Sequence, residues 1–319
     1  MMSKTISKSE PLQSAVAPGN HDGVHLGHRA LVRAAKERAE ALGLKTVGLF
    51  FDPHPTKLLA PERAPILLTT PERRRELLIE AGCDEVIIKT FDEDFAQTEP
   101  RVFVEEILVK SCAARAVVTG PDFHFGKNRS GSIQTLRAFG ERYGFEVIVE
   151  APVLYGEEAS SSTRIRASLR EGRVEEAAAM LTRFHENHGV VVRGFERGRL
   201  LGFPTANLEL DGTHLPKDGV YLIAALDLET GLRRFGVANI GERPTMKAGR
   251  SVEAHLFDFE GDLYGHPLRV GYIARLRDEQ RFESIEALEA QIKRDAAMGR
   301  ALVAENEAQW RAEGMLRWL

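Results

Sequence analysis

The chain has 319 residues, 43% of them hydrophobic and 28% charged, with a formal net charge of −4. That length suits two domains, and that balance suits a globular protein in water. The slight acidity argues against broad nucleic-acid binding, so phosphate recognition must be local. Cys83 and Cys112 make neither a disulfide framework nor a metal-ligand pattern, which fits a reducing cytoplasm. The polar first dozen residues read as an unstructured lead-in without a signal peptide's apolar core. No apolar run is long enough to cross a bilayer.

Small apolar residues at 15–17 precede Gly19-Asn20-His21-Asp22-Gly23-Val24-His25-Leu26-Gly27-His28. A helical pattern follows from Arg29, with Leu31, Ala34, Ala35, Ala39 and Leu42 on its stripe and Gly43 as its cap. Strand, glycine-rich turn and helix together place an anion at a helix N-terminus. Gly23 and Gly27 let backbone approach a ligand closely. His25 and His28 fall on one side of the first helical turn. Two imidazoles there can stabilise charge on a transferring phosphoryl group. The pair alone suits a metal site or a polar surface turn equally well.

A strand over 46–51 ends in Asp52-Pro53-His54-Pro55, and Thr70 caps a helix over 71–81. A strand over 86–89, a helix from 100 to about 111, a strand over 116–119, a helix ending near Gly144 and a strand over 145–149 complete the pattern. Such alternation predicts a doubly wound parallel sheet, with ligand loops 19–28, 52–55 and 120–131 at the carboxyl ends of its strands. In the last loop Asp122, Phe123, Phe125 and Arg129 suit a flat heterocycle beside a phosphate, although packing aromatics in a surface loop would read the same. In Ser160-Ser161-Ser162-Thr163-Arg164-Ile165-Arg166, Ser162 or Thr163 is the expected helix cap. Arg164 and Arg166 face opposite ways on that helix, so at most one can point to a ligand, and by residue type alone both read as solvated. A helix over 174–181 closes this half.

From Gly189 onward short strands alternate with turns, at 190–193, 221–228, 234–239, 252–259 and 268–275. They predict a small antiparallel barrel. A long amphipathic helix begins at Ser284, with Leu288, Ile292 and Ala296 on one face and a bend expected at Gly299. Within this half, Gly198, Arg199 and Gly202 form a loop able to approach a nucleotide. Thr205 and Asn207 share one face of an extended segment and offer hard oxygens to Mg²⁺, or make an ordinary strand entry. Glu253, His255, Phe257 and Phe259 alternate onto one face of a strand. A carboxylate such as Glu253 is what phosphorylation of an alcohol requires near the hydroxyl proton, though in that setting it is more often simply exposed.

These motifs resemble a known family. H-x-G-H is the signature of the nucleotidylyltransferases. The longer G-N-x-D-G-V-H-L-G-H is similar to the FMN adenylyltransferase half of bacterial bifunctional riboflavin kinase/FAD synthetases. The F-D-P-H-P run at 51–55, the G-x-D-F-x-F-G-x-x-R-x-G run at 120–131 and S-S-T-x-I-R at 161–166 follow in that family's order. So do G-R-x-L-G-F-P-T-A-N, residues 236–245 and V-E-x-H-x-F, which resemble the riboflavin kinase half.

The resemblance implies an α/β nucleotidylyltransferase domain over 13–182 and a β-barrel riboflavin kinase domain with a long C-terminal helix over 183–319. It implies phosphorylation of riboflavin to FMN, then adenylylation of FMN to FAD with release of pyrophosphate. By residue it assigns catalysis to Glu253, His25 and His28. ATP binding falls to Gly19, Asn20, Gly27, Ser162, Thr163, Arg166, Gly198, Arg199 and Gly202, flavin binding to Asp122, Phe123, Phe125 and Arg129, and Mg²⁺ to Thr205 and Asn207. The expected partners are riboflavin, FMN and ATP, without nucleic acid or membrane, in a cytoplasmic monomer or weak homo-oligomer. His21 stands where the family usually has phenylalanine, Pro18 where it more often has isoleucine, and Ala159 where it often has a basic residue. The alternative they raise is a kinase with a weakened first domain.

Overall fold

The computed structural model describes residues 13–193, 204–242 and 249–317. By contact the chain forms two compact units. The first runs to Pro65 and resumes over Pro71–Ser160; the second takes Ile66–Thr70 and begins again at Ser161.

The first unit is the α/β half. Its strands are β1 Ser14–Pro18, β2 Lys45–Asp52, β3 Glu85–Thr90, β4 Ala114–Thr119 and β5 Glu146–Val149, with the small hairpin β6 Leu154–Tyr155 and β7 Glu158–Ala159. Its helices are α1 Leu26–Leu42, α2 Pro55–Leu59, α3 Pro71–Ala81, α4 Glu93–Ala96, α5 Pro100–Val102 and α6 Ile133–Tyr143. Parallel pairing gives the order β3-β2-β1-β4-β5. The alternation along β1 explains both layers. Ala15 and Ala17 pack with Ala35 and Ala39 of α1, small residues that admit a close helix. Val16 points the other way, into a core with Phe103, Val104, Leu108 and Leu136. Pro18, lacking an N–H, sits at the end of β1, and Gly19 continues the ladder by donating to the Leu49 carbonyl at 2.9 Å.

Helix α1 starts at Leu26 rather than at the expected Arg29, and its left-handed cap is Gly43. The helix expected from 100 to 111 is α5 followed by a π-helical stretch over Phe103–Ser111. That wider coil leaves no periodic trace in the sequence.

The second unit contains α7 Ser162–Arg170, α8 Val174–Leu181, β8 His185–Val192, β9 Ala206–Leu210, β10 Gly219–Asp227, β11 Arg233–Glu242, β12 Arg250–Leu256, β13 Pro267–Arg277 and α9 Ile285–Ala312. The strands close into an antiparallel barrel in the order β10-β11-β12-β9-β8-β13. Strand β8 begins at His185, ahead of the expected 190. Its opening His185-Glu186-Asn187 is buried despite its polarity, which hides a strand from any hydrophobic pattern. Helices α7 and α8 group by contact with the barrel.

Two local expectations are corrected. The cap of α7 is Ser161, whose hydroxyl accepts from Arg164 N at 3.2 Å. Strand β12 stops at Leu256, so Phe257 leaves the Glu253 face and enters the core with Leu222 and Val237. Gly299 does not break α9, which runs through it. A Cβ at 299 would lie 3.1 Å from Phe257 Cζ and 3.3 Å from Leu222 Cδ1 and Val237 Cγ1. Glycine lets this helix seat closely on the barrel.

Candidate functional site

In the first unit the loops after β1 and β4 flank the point where the strand order reverses, the ligand position in open α/β sheets. His25 caps α1: the Gly27 amide donates to its Nδ1 at 3.1 Å. With Nδ1 accepting, the neutral ring carries its proton on Nε2, which makes that nitrogen a donor. A Cβ at Gly27 would fall 3.1 Å from His25 Cε1 and 3.3 Å from Nδ1, so only glycine leaves the ring its place. His28, one turn on, lies with its ring centroid 3.8 Å from that of His25.

His21 completes a stack, edge-on to His28 at 5.0 Å. Its Nε2–H donates to the Ala17 carbonyl at 2.9 Å, while its buried Nδ1 has no hydrogen-bond partner among the described residues. Burial, opposed by that bond and helped by the Arg74 charge, lowers its pKa to about 4. Burial, then the neighbouring His25, His21 and Arg74, also drives His28 far below its usual value. Both rings are therefore neutral at physiological pH. His21 and Val24 hold φ of 50° and 44°. The left-handed region is costly for side chains such as these, and such strain gathers at functional loops.

Beneath the loop, Arg74 and Asp22 form a buried pair at 3.4 Å, and the Arg74 guanidinium lies 4.8 Å from the Phe50 ring centroid. The two partners are 52 positions apart, and no local pattern marks them. Gly19 lies close to the His21 ring, and Asn20 is exposed.

The β4 loop divides its aromatics. Phe125 is only 7% exposed and packs at 5.1 Å from Phe103, so it anchors the loop in the core. Phe123 stacks on it at 5.6 Å and is half-buried. Asp122 and Arg129 are exposed. Arg129 has φ 57° and points a guanidinium nitrogen at His124 Nδ1, 3.4 Å away. Phe51, Phe91 and Phe95, with centroids 5.2–5.8 Å apart, extend the aromatic surface at the same ends of the strands.

In the second unit Ser162 and Thr163 open α7. Arg166 is buried and donates from Nε to the Ile66 carbonyl at 2.8 Å, while Arg164 meets Glu176. Thr205 and Asn207 line a cavity of about 480 Å³ with Phe259, Asp262 and Tyr264. Glu253 is not among its lining residues, yet register ties it to the same row. Asn207 of β9 and Asn239 of β11 lie directly opposite Glu253 of β12. Directly paired residues point to one face, so the carboxylate stands between two amides. Asn239, whose Nδ2 donates to Glu279 Oε1 at 3.3 Å, is a member of the row that its residue type alone did not reveal. Gly198, Arg199 and Gly202, the 243–245 end of the second block and residues 1–12 lie outside the described residues.

Residues 7–164 match the family model for FAD synthetase, and residues 181–303 match that for riboflavin kinase. A bifunctional riboflavin kinase/FMN adenylyltransferase of Escherichia coli (strain K12) is 38% identical over 284 residues, covering 88% of this chain and 90% of the relative. Its namesake in Pseudomonas fluorescens is 38% identical over 90% and 92% of the two chains, and that of Bacillus subtilis (strain 168) 34% identical over the same shares. A crystal structure of a protein named as a macrolide-efflux protein, from Streptococcus pneumoniae, superposes with a TM-score of 0.81 at 31% identity, over 93% of this chain and 95% of that one.

Proposed function

Because the chain belongs to the bifunctional riboflavin kinase/FMN adenylyltransferase family, we propose that its two halves divide the chemistry as the 13–182 and 183–319 division implies, through the residues described above. The protein phosphorylates riboflavin to FMN and adenylylates FMN to FAD. Both domains are present, so the kinase-only alternative is set aside.

In the kinase step Glu253 takes the proton of the riboflavin 5′-hydroxyl as its oxygen attacks the γ-phosphorus of ATP, and ADP leaves. Asn207 and Asn239 flank Glu253 in strand register, one on either side. Thr205 and Asn207 would hold a Mg²⁺, since both offer neutral oxygens in a cavity that also carries Asp262. When bound, that ion neutralises phosphate charge.

In the adenylyl step an FMN phosphate oxygen attacks the α-phosphorus of a second ATP, and pyrophosphate leaves. His25 donates from Nε2 to the phosphoryl oxygens as charge builds there, and His28, held neutral, stands beside it. Phe123 offers the half-exposed face for the flavin, with Phe125 behind it. Asp122 and Arg129 border that face, and Gly19, Asn20 and Gly27 leave room for the nucleotide. Ser162, Thr163 and Arg166 take the ATP role that the resemblance gives them.

The observation that carries this reading is the His25 cap, which fixes a donor tautomer at the mouth of the sheet. Separating FMN from FAD after incubation with riboflavin, ATP and Mg²⁺ tests it. Glu253→Gln is expected to stop FMN formation while FAD still forms from supplied FMN. Loss of both activities in a folded variant would overturn the division of labour.

A further inference from the structure

The segment joining β12 to β13, residues 257–266, forms one wall of the 480 Å³ cavity through Phe259, Asp262 and Tyr264. Its first end is fixed: Phe257 N donates to the Phe235 carbonyl at 2.8 Å, and Arg300 grips Asp258 with bonds of 2.7 and 2.9 Å. At its second end, Gly265 N donates to Val191 O at 2.9 Å and His266 O accepts from Val191 N at 3.0 Å. Between them Glu260, Gly261 and Asp262 are exposed.

Behind this wall lies a second cavity, of about 360 Å³, which shares Phe259, Asp262 and Leu263 with the first and is also lined by Asp227, Thr230 and His266. The segment is thus a partition between the two spaces, anchored also by its buried Phe257 and Leu263. One side-chain bond ties it to the β10–β11 turn: His266 Nδ1 lies 2.8 Å from Asp227 Oδ2.

Asp227 is well suited to hold it. The carboxylate is buried and also accepts from Thr230 Oγ1 at 2.6 Å and from Glu229 N at 2.9 Å. Burial opposes its ionisation, but the bonds from Thr230, His266 and the two amides prevail and bring its pKa to about 2. It only accepts, so His266 Nδ1 carries the hydrogen. The bond to Asp227 outweighs desolvation and, with the charges of Asp227, Glu229 and Asp262, raises the His266 pKa.

We propose that His266 is a positioning residue for the kinase's nucleotide: through Asp227 it holds the partition and so sets the shape of the cavity that takes ATP. This rests on the reading that Thr205 and Asn207 mark that cavity. The groups facing the imidazole are Asp227 at the end of β10, Glu229 in the turn and Asp262 on its own segment. All three are acidic, so the protonated ring makes the stronger, charge-assisted bond. A raised histidine pKa means that this extra strength is complete below about 6.5 and is lost as pH rises through the raised value.

The test measures the KM for ATP and kcat of FMN formation from pH 6 to 8.5 in the full-length protein, with FAD formation from supplied FMN as the folding control. His266→Leu is expected to raise the KM for ATP about tenfold with kcat nearly unchanged. In wild type that KM rises with pH. In His266→Asn, which keeps a donor but cannot titrate, it stays low and the rise flattens. An unchanged KM in His266→Leu, or the wild-type slope in His266→Asn, overturns the proposal. If the leucine variant loses both activities it has misfolded, and the asparagine slope decides. Thr205→Ala separates the two layers. If it too leaves the KM for ATP unchanged, the cavity is not the nucleotide's; if it alone raises KM, only the role of His266 falls.

Discussion

At position 27 a single hydrogen atom in place of a methyl group decides whether His25 can turn its Nε2–H outward. The ring is held from below by the Gly27 amide, and the space a side chain would need is the space the ring occupies. Gly27→Ala is therefore expected to displace the donor and lower FAD formation from FMN by about 10²–10³, the cost of one misplaced oxyanion donor. FMN formation, in the other unit, should keep its rate. An FAD-forming rate near wild type would show that the cap does not aim the ring. Residue types pointed to His25, His28 and Gly27 as candidates because their motif is local. They did not reveal Asp22 with Arg74, or Asn239 beside Glu253. A partner across 52 positions or across a strand pair is a property of register, not of spacing.

Among the elements, the α/β half was the more legible. Several helices there begin or end on a local signal, such as Pro71 or Gly144, and the five strands of the parallel sheet carry apolar runs. The barrel was harder to read. The polar start of β8 is buried inside, and the closure of β8 on β13 joins segments about eighty positions apart (Arg269 with His188 is one registered pair). The α9 helix shows a signal whose packing role is not local. Glycine within a helix suggests a bend, and Gly299 is also a contact surface. Gly299→Leu is expected to destabilise the barrel unit by roughly 1–3 kcal/mol through overpacking against Phe257, Leu222 and Val237. Denaturant unfolding followed by Trp310 fluorescence measures it, because Trp310 packs in the same core at 5.8 Å from Phe184. Stability equal to wild type would mean that the helix can lift off the barrel without cost.

For the whole molecule, the buried histidines make acid the natural denaturant. Burial lowers His21, His185 and His214 from 6.5 to about 4, each with smaller contributions from its neighbours. The sign follows from proton uptake. Between 6.5 and about 4 the unfolded chain binds protons that the folded one refuses, so stability is complete above 6.5 and falls as pH drops. Each such histidine costs roughly 2 kcal/mol by pH 5, at about 1.4 kcal/mol per pH unit. Because they lie in both units, thermal scans from pH 7.5 to 5 should show melting temperatures falling for every transition. A melting temperature flat down to pH 5 would show that these rings take protons without unfolding.

The strand pairings also set an order of events at the ribosome. The parallel sheet has its last strand once Val149 is made, and every partner of β1 precedes it. The barrel cannot close until β13, ending at Arg277, has emerged to meet β8 and β10. At about 5–20 residues per second the intervening stretch takes on the order of ten seconds to synthesise. During that interval β8 and β9 expose unpaired edges, while the sheet that carries His25 and His28 can already be complete. A nascent chain of this protein therefore passes through a stage at which its histidine loop is formed and its barrel is an open ribbon, the stage most exposed to mispairing with another chain.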